Sequence, residues 1–589
     1  MNPSSHAATP LSSRVRHIRL KLLFGVIGVY ALSFILWCTF FQGERGTGLA
    51  GLFPKGYNEK LNRMLELVLS TTSHSNARNR TISAAAGDML GRPRTDDLEC
   101  VGWRHTQTCD PNTHILQSYN RSCEQHIRGG HSGFCAMKDK RTGREVRVLK
   151  CTCVSVRSDV IFNCNQALDF VRFREETESV LAEALAAEAN ESANAVVAIQ
   201  ETLTSSIDNS VGELDERDGI VMVTYPNLLV GAYATVKTLR ETHNCVLPIE
   251  IWYLESELGP NATTNNKILT HMVRDFAPLT FVPILDKDVN GFNSKVHAIL
   301  HTNLTNILFL DSDNVPAKDP TYVFQLPQFT KTGAIFWPDF WHPVHSIFNI
   351  NEQSLLWELL GLDFVDMFEQ ESGQLLINKR KSRVALQLLE YFAFHRPSIF
   401  ESMKLAWGDK DLFRLAWLKS NTPFHMVEAP PAMAGEVRLN KFCGMTMVQF
   451  DPLGDALFLH RNARKVNGGR PALGKEPDAP IWSHLQMFKY NSNATTVNGT
   501  ATTAASAESK SSYAILKEFY KVQIYNGVPQ FKASQWCYGQ EKPHDEQGHF
   551  QTVPWSETAL LPMLESQVLA FAKEGAALLP PSTVVMAST

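Results

Sequence analysis

Apolar and polar positions fall into distinct textures along the chain. Residues 22–41 (LLFGVIGVYALSFILWCTFF) form an unbroken apolar run, about the 20 residues needed to cross ~30 Å of hydrocarbon. Residues 42–95 are polar and uneven and predict a stem, with Gly91-Arg92-Pro93 near its end. Residues 169–216 are rich in Ala and Glu with apolar residues at helical spacing, which predicts a connector of one or two helices. No heptad persists long enough there to predict a coiled coil. From Gly219 the period shortens. GIVMVTY, LPIEIWYLE, FVPIL and NILFL read as strands, and NLLVGAYATVKTLRET as an amphipathic helix between the first two. Strands alternating with helices predict an α/β domain with a mostly parallel sheet over residues 217–490. The Ser/Thr/Ala/Asn-rich stretch 491–512 predicts a solvated linker. A C-terminal segment, 513–589, then closes with a helix within 556–573.

The flanks of the apolar run orient it. Arg14, Arg16, Arg19 and Lys21 precede it and Glu44 and Arg45 follow. The positive-inside rule therefore places residues 1–21 in the cytoplasm and the remainder in a lumen, with 22–41 as a single-span anchor. A cleaved signal peptide is the competing reading, but its apolar core is shorter and ends in small residues, whereas this run ends in Phe40 and Phe41. Cysteine usage agrees with a lumenal chain. Seven cysteines (Cys100, Cys109, Cys123, Cys135, Cys151, Cys153, Cys164) crowd into residues 96–168, which predicts a small disulfide-rich module. Seven is odd, so one of them pairs elsewhere or stays free. Zinc is the alternative, since His105, His114, His126 and His131 are interspersed, but paired C-x-x-C knuckles are missing. Glycosylation triplets begin at Asn79, Asn120, Asn190, Asn261, Asn303, Asn493 and Asn498. The chain of 589 residues carries a net charge of −4 and no basic stripe after residue 42, which argues against nucleic acid as a partner.

The chemistry concentrates in NILFLDSDNVPAKDP. A buried strand delivers Asp311 and Asp313 at its carboxyl end, where open α/β sheets bind ligands. Two carboxylates one residue apart suit a hard divalent cation, Mn²⁺ or Mg²⁺, which neutralises a diphosphate leaving group. Asp313 is expected on the metal, and Asp311 on the metal or a ribose. An acidic strand-end turn is the plain alternative. A calcium loop is disfavoured because Val315 and Pro316 stand where a ligand and a glycine belong.

GAIFWPDFW (333–341), ESGQLLINKR (371–380), WGDKDLFRLAW (407–417) and LFLHRNARK (457–465) follow in order. Together with LFLDSDNVPAKDP, LPIEIWY (247–253) and the Lys295 of GFNSKVHAIL, they resemble the fungal Golgi α-mannosyltransferases, glycosyltransferase family 71. The likeness covers about residues 217–465. It implies a GT-A type nucleotide-sugar-binding fold, GDP-mannose as donor, a Mn²⁺ cofactor, a glycan acceptor, and retention to give an α-linkage. It also implies a Golgi membrane enzyme, and the chain ends VVMAST without a retrieval signal. By the same resemblance His460 is a third metal ligand; on the residues alone it reads as a core histidine beside the LFL strand.

Further candidates follow from charge and shape. Lys295, Arg240 and Lys465 are candidate diphosphate contacts. Asp409 and Asp411 stand on a turn before a helix and, with Glu371 and Gln374, are the candidate catalytic residues; Asp409 is a candidate to face the sugar or accept from the acceptor, and it also suits a helix N-cap, the two roles being compatible. Glu371 and Gln374 are candidates for sugar hydroxyls. Trp337, Asp339 and Trp341 are candidates for an acceptor platform, alternate-position tryptophans being otherwise core. Two other functions remain open on the sequence: a UDP-sugar-dependent transferase of the same fold, and a non-catalytic lumenal carbohydrate-binding protein.

Overall fold

The computed structural model describes residues 94–204, 217–470, 478–488, 516–526, 531 and 536–580. The anchor, nearly all of the stem and the low-complexity linker lie outside the described residues. Among the described residues no helix is long and apolar enough to cross a membrane.

The cysteine-rich module is a three-stranded antiparallel sheet, with Gly133–Asp139 between Leu98–His105 and Glu145–Cys151. Such short strands enclose little apolar volume, and disulfides complete the fold. Cys100–Cys123, Cys109–Cys153 and Cys135–Cys164 are bridged. Cys151 is the odd thiol, buried and unbridged. The cysteines are thus spent on disulfides rather than on zinc, and the metal-ligand cluster found among the described residues lies elsewhere.

The helical stretch is one helix, Gln166–Thr204. Phe170, Phe173, Thr177, Leu181, Ala184 and Leu185 are buried, a helical stripe that lies on the helix Arg383–Phe394 of the α/β domain. It joins the module to the α/β domain by packing as well as by chain.

The α/β domain is built on a seven-stranded sheet. Its order is His425–Met426, Ala334–Pro338, Gln370–Asn378, Asn306–Asp311, Asp218–Val223, Ile249–Leu254, Leu279–Ile284. The last four run parallel and Gln370–Asn378 runs against them. Asp218–Val223 and Asn306–Asp311 are almost wholly apolar and buried, as strands covered on both faces must be. An antiparallel second sheet adjoins it, running Asn314–Pro316, Ala456–His460, Lys441–Phe450, Ala432–Arg438, His484–Phe488, Phe550–Pro554. Trp536–Gly539 pairs onto Lys441–Phe450, where Cys443–Cys537 bridges the two. Residues after 512 therefore complete the second sheet.

The two sheets meet where the chain leaves Asp311. Three residues later Asn314–Pro316 enters the second sheet, and Asn314 stands opposite His460. That register brings Asp313 beside His460.

Candidate active site

The turn after Asn306–Asp311 is tied down on both sides. Ser312 Oγ donates to Val223 O at 2.7 Å, and Thr235 Oγ1 donates to Ser312 O at 3.0 Å. Asp311 and Asp313 are thereby held at the carboxyl end of the parallel strands. They open into a cavity of about 400 Å³.

Asp311, Asp313 and His460 each offer a ligand atom, all within 4.8 Å of one another. His460 Nε2 lies 3.5 Å from Asp313 Oδ1, and His460 Nδ1 lies 3.7 Å from Glu371 Oε1. Gly373 makes room for the ring: a Cβ there would sit 2.6 Å from His460 Nδ1. Two carboxylates and an imidazole converging from two sheets fit a hard divalent cation. Burial pushes the His460 pKa down, but Asp313 and Glu371 outweigh it and raise it. Burial opposes ionisation of Asp313, yet His460 and Lys465 hold its carboxyl well below the usual range. Asp311 goes the other way, raised by burial against the pull of Lys295.

Three lysines alternate with the carboxylates. Lys465 Nζ, half exposed, is 2.5 Å from Asp313 Oδ2. Lys295 is buried, 3.3 Å from Asp311 and 3.0 Å from Asp409, and donates to Ser372 O and Oγ at 2.8 and 3.0 Å. Lys410 pairs with Asp339 and lies 3.9 Å from Glu371. Asp409 does occupy the N-cap position of the helix Lys410–Ser420, but its side chain makes no capping bond. It turns to Lys295 instead. Burial raises Asp339 to about 6 despite Lys410, whereas Lys410 and His460 overcome burial to keep Glu371 below its ordinary value.

The structure therefore gathers Asp311, Asp313, His460, Lys295, Lys465, Asp409 and Glu371 around one cavity, with Asp339 behind Lys410. It takes five candidates elsewhere. Arg240 does not reach the cavity: its guanidinium donates to the carbonyls of Phe276, Cys245, Leu247 and Pro278. Asp411 is buried against Arg414 and accepts from Gln370 N. Gln374 accepts from Asn314 Nδ2 at 2.6 Å inside the sheet. Trp337 is 0% exposed, packs edge-on against Phe458 and donates to Phe450 O; Trp341 is buried as well. The aromatic surface at the cavity is Trp407 and Phe292, 54% and 61% exposed, with Trp407 stacked on Phe348. Sequence reasoning passed over them, and over Ser372, Lys410 and Tyr225, although Ser372, Trp407 and Lys410 stand inside the motifs ESGQ and WGDKD. Solvent exposure is the property that separates Trp407 from Trp337, and a sequence pattern does not carry it.

The sequence profile of the mannosyltransferase family Mannosyl_trans3 matches residues 217–354 and 364–451. The match includes Asp311 and Asp313 and stops short of His460. Among individual proteins, the chain is 26% identical over 294 residues to the α-1,2-mannosyltransferase MNN21 of Candida albicans, covering 42% of this chain and 44% of that one. It is 24% identical over 298 residues to the α-1,2-mannosyltransferase MNN2 of Saccharomyces cerevisiae, covering 44% and 50%. The chain thus spans about half the length of these relatives. Similar solved structures include the glycosyltransferase GlyE of Streptococcus pneumoniae, with 15% identity, TM-score 0.25 and 36% and 45% coverage. Another is the mannosyltransferase Ktr4p of S. cerevisiae in complex with GDP, with 10% identity, TM-score 0.24 and 41% and 76% coverage.

Proposed function

We propose that this chain, which belongs to the family of fungal α-mannosyltransferases, transfers mannose from GDP-mannose to a glycan acceptor on a GT-A type fold. The observation that carries the reading is the convergence of Asp311, Asp313 and His460 on a cavity that also holds Lys295 and Lys465. Held by those three ligands, Mn²⁺ or Mg²⁺ would supply the Lewis acid that neutralises a departing diphosphate.

The chain's own residues do the rest. Lys465, half exposed and resting on Asp313, is the cation free to move onto a phosphate oxygen. Lys295, closed in by Asp311, Asp409 and Ser372, fixes the direction of Asp311 rather than greeting the ligand. Glu371 stays ionised in the cavity wall, where a carboxylate stabilises the positive charge that develops at an anomeric carbon. Trp407 and Phe292 offer apolar faces to a sugar ring. Retention and the α-linkage accompany the family. Disulfides, exposed acceptor asparagines at 190, 261 and 303 and the apolar run 22–41 support an anchored, lumenal Golgi enzyme.

The test is turnover of a nucleotide-sugar panel by the detergent-solubilised full chain, with and without Mn²⁺. Metal-dependent turnover of GDP-mannose alone is expected, and Asp313→Ala should lower it by about a hundredfold or more. Preference for a UDP-sugar would overturn the donor. Wild-type activity in Asp313→Ala would overturn the metal assignment.

A further inference from the structure

The cysteine-rich module contains a second cavity, of about 370 Å³, a volume within the ~300–1,000 Å³ of small-molecule sites. It forms where Leu98–His105 ends and the chain loops back. Thr106 N donates to Ser132 O, Leu116 N to His105 O, and Trp103 and Arg121 exchange backbone hydrogen bonds. Cys109–Cys153 and Cys100–Cys123 staple that loop, so the cleft is rigid. Its floor is the Thr106 and Ser132 hydroxyls, 2.8 Å apart and both buried. Its wall is Tyr119, 62% exposed, whose ring centre is 5.5 Å from that of His105; His131 lies 5.7 Å beyond.

The lining excludes several chemistries. Among the described residues no acidic side chain borders the cavity, which argues against hard-cation binding and carboxylate-driven hydrolysis. Among the described residues Arg121 is its one permanent charge, and that guanidinium already donates to His126 O. Burial, then His131 and Arg121, push the His105 pKa down, so that imidazole is neutral near pH 7. An uncharged ligand with many hydroxyls suits this lining better than a phosphate. A pyranose has an apolar C–H face for an exposed tyrosine ring and a rim of hydroxyls for planar donors and acceptors.

We propose that this cleft is an accessory glycan-binding site, stacking a hexose on Tyr119 while His105, Gln107 and His131 bond its hydroxyls. The hexose class follows from the lining; the choice of mannose rests on the donor reading above. Because the module is packed on the α/β domain through Ser155 Oγ to Gln353 O and Leu355 N to Ser155 O, a chain gripped here stays at a fixed distance from the transfer site. Two sources of such a chain exist: an acceptor glycan, or an N-glycan on Asn120, whose triplet ends at the exposed Ser122 beside the cleft.

Binding of a linear α-mannooligosaccharide to the full chain in detergent tests this, read by titration calorimetry in the Asp313→Ala background so that transfer does not interfere. Tyr119→Ala should weaken binding about tenfold or more, while Tyr119→Phe keeps it within about twofold. His131→Ala provides a second variant on another loop. Wild-type affinity in both Tyr119→Ala and His131→Ala would overturn the proposal. Tighter binding after Ser122→Ala, which removes the triplet and leaves Asn120 in place, would support the site with the chain's own glycan as occupant. Unchanged binding after Ser122→Ala, with Tyr119→Ala still weak, would support an acceptor glycan. A chain that binds the oligosaccharide through Tyr119 but turns over no GDP-mannose would leave the cleft standing and overturn the donor alone.

Discussion

At the residue scale, one buried position decides how well the site is held and another how stability follows pH. Gly373 is the first. Its backbone runs so close to His460 that a methyl group would meet Nδ1 at 2.6 Å, well inside van der Waals contact. Gly373→Ala should displace the imidazole and weaken Mn²⁺ binding by about tenfold or more with little loss of secondary structure. Metal titration followed by circular dichroism checks both parts, and unchanged affinity would remove His460 from the coordination set. Glu369 is the second. Burial raises its pKa to about 8, with Asp411 adding to the effect, although Ser346 Oγ donates to it at 2.6 Å. A carboxyl raised in the folded state stabilises the protein below its ordinary pKa. That contribution is lost as pH climbs toward about 8. Glu369→Gln should therefore flatten the fall in stability between pH 5 and pH 8, a difference of roughly a few kcal/mol. Denaturant titrations of both forms at the two pH values give the answer; parallel pH slopes would refute it.

At the element scale, the placement of His460, the proposed third metal ligand, depends on a helix at the far end of the chain. Leu564–Leu578 begins with Leu564 and Glu565, both buried. The Glu565 carboxylate accepts from Ile481 N at 2.7 Å, from Trp482 N at 2.8 Å and from Arg461 Nη1 at 2.9 Å. Arg461 is the residue after His460, so Glu565 fixes the segment that presents the imidazole. Glu565→Ala takes the carboxylate partner from buried Arg461, whose Nε and Nη2 keep the carbonyls of Arg464 and Ala479, and leaves two backbone donors unpaired, which should cost about 2–4 kcal/mol and weaken metal binding with it. Unchanged melting temperature and metal affinity would contradict that role. The sequence made part of this element structure legible. GIVMVTY, LPIEIWYLE and NILFL contain parallel strands, because strands covered on both faces must be continuously apolar, and FVPIL falls in the half-buried edge strand Leu279–Ile284. A closing helix was expected within 556–573, and the helix found is Leu564–Leu578. The second sheet was not legible: its strands mix Gly, Thr and Gln with apolar residues, and partners such as Asn314 and His460 stand about 150 residues apart in sequence, a pairing local pattern does not encode. The same division holds at the site. Asp311 and Asp313 follow from their place after a strand, and His460 came through the family resemblance. Arg240, Asp411 and Gln374 were misplaced because a charged or polar residue in a motif reads alike whether it meets a ligand or a buried partner.

At the scale of the whole molecule, the module at 94–168 and the α/β domain belong to one compact unit. One apolar core runs through Trp103, Phe162, Phe170 and Phe173 and on to Phe392, Phe400 and Trp417. Phe173 is its hinge point, with ring centres of His395, Phe400 and Phe392 at 5.0, 5.5 and 5.7 Å. Polar contacts reinforce the junction: Glu358 accepts from Lys150 N at 2.9 Å, and Lys419 pairs with Glu178 at 2.6 Å. A stem segment that merely spaced the enzyme from a membrane would need none of this. Truncating a fully buried Phe costs about 3–5 kcal/mol, the cavity left behind included. Losing Phe170 and Phe173 together would therefore consume most of the roughly 5–15 kcal/mol that keeps a domain folded. The full chain should accordingly unfold in one calorimetric transition that includes the disulfide module. A chain shortened to begin at residue 217 should aggregate or melt at least about 10 °C lower. If the shortened chain instead melted at the temperature of the whole, the core shared across the junction would contribute nothing to stability.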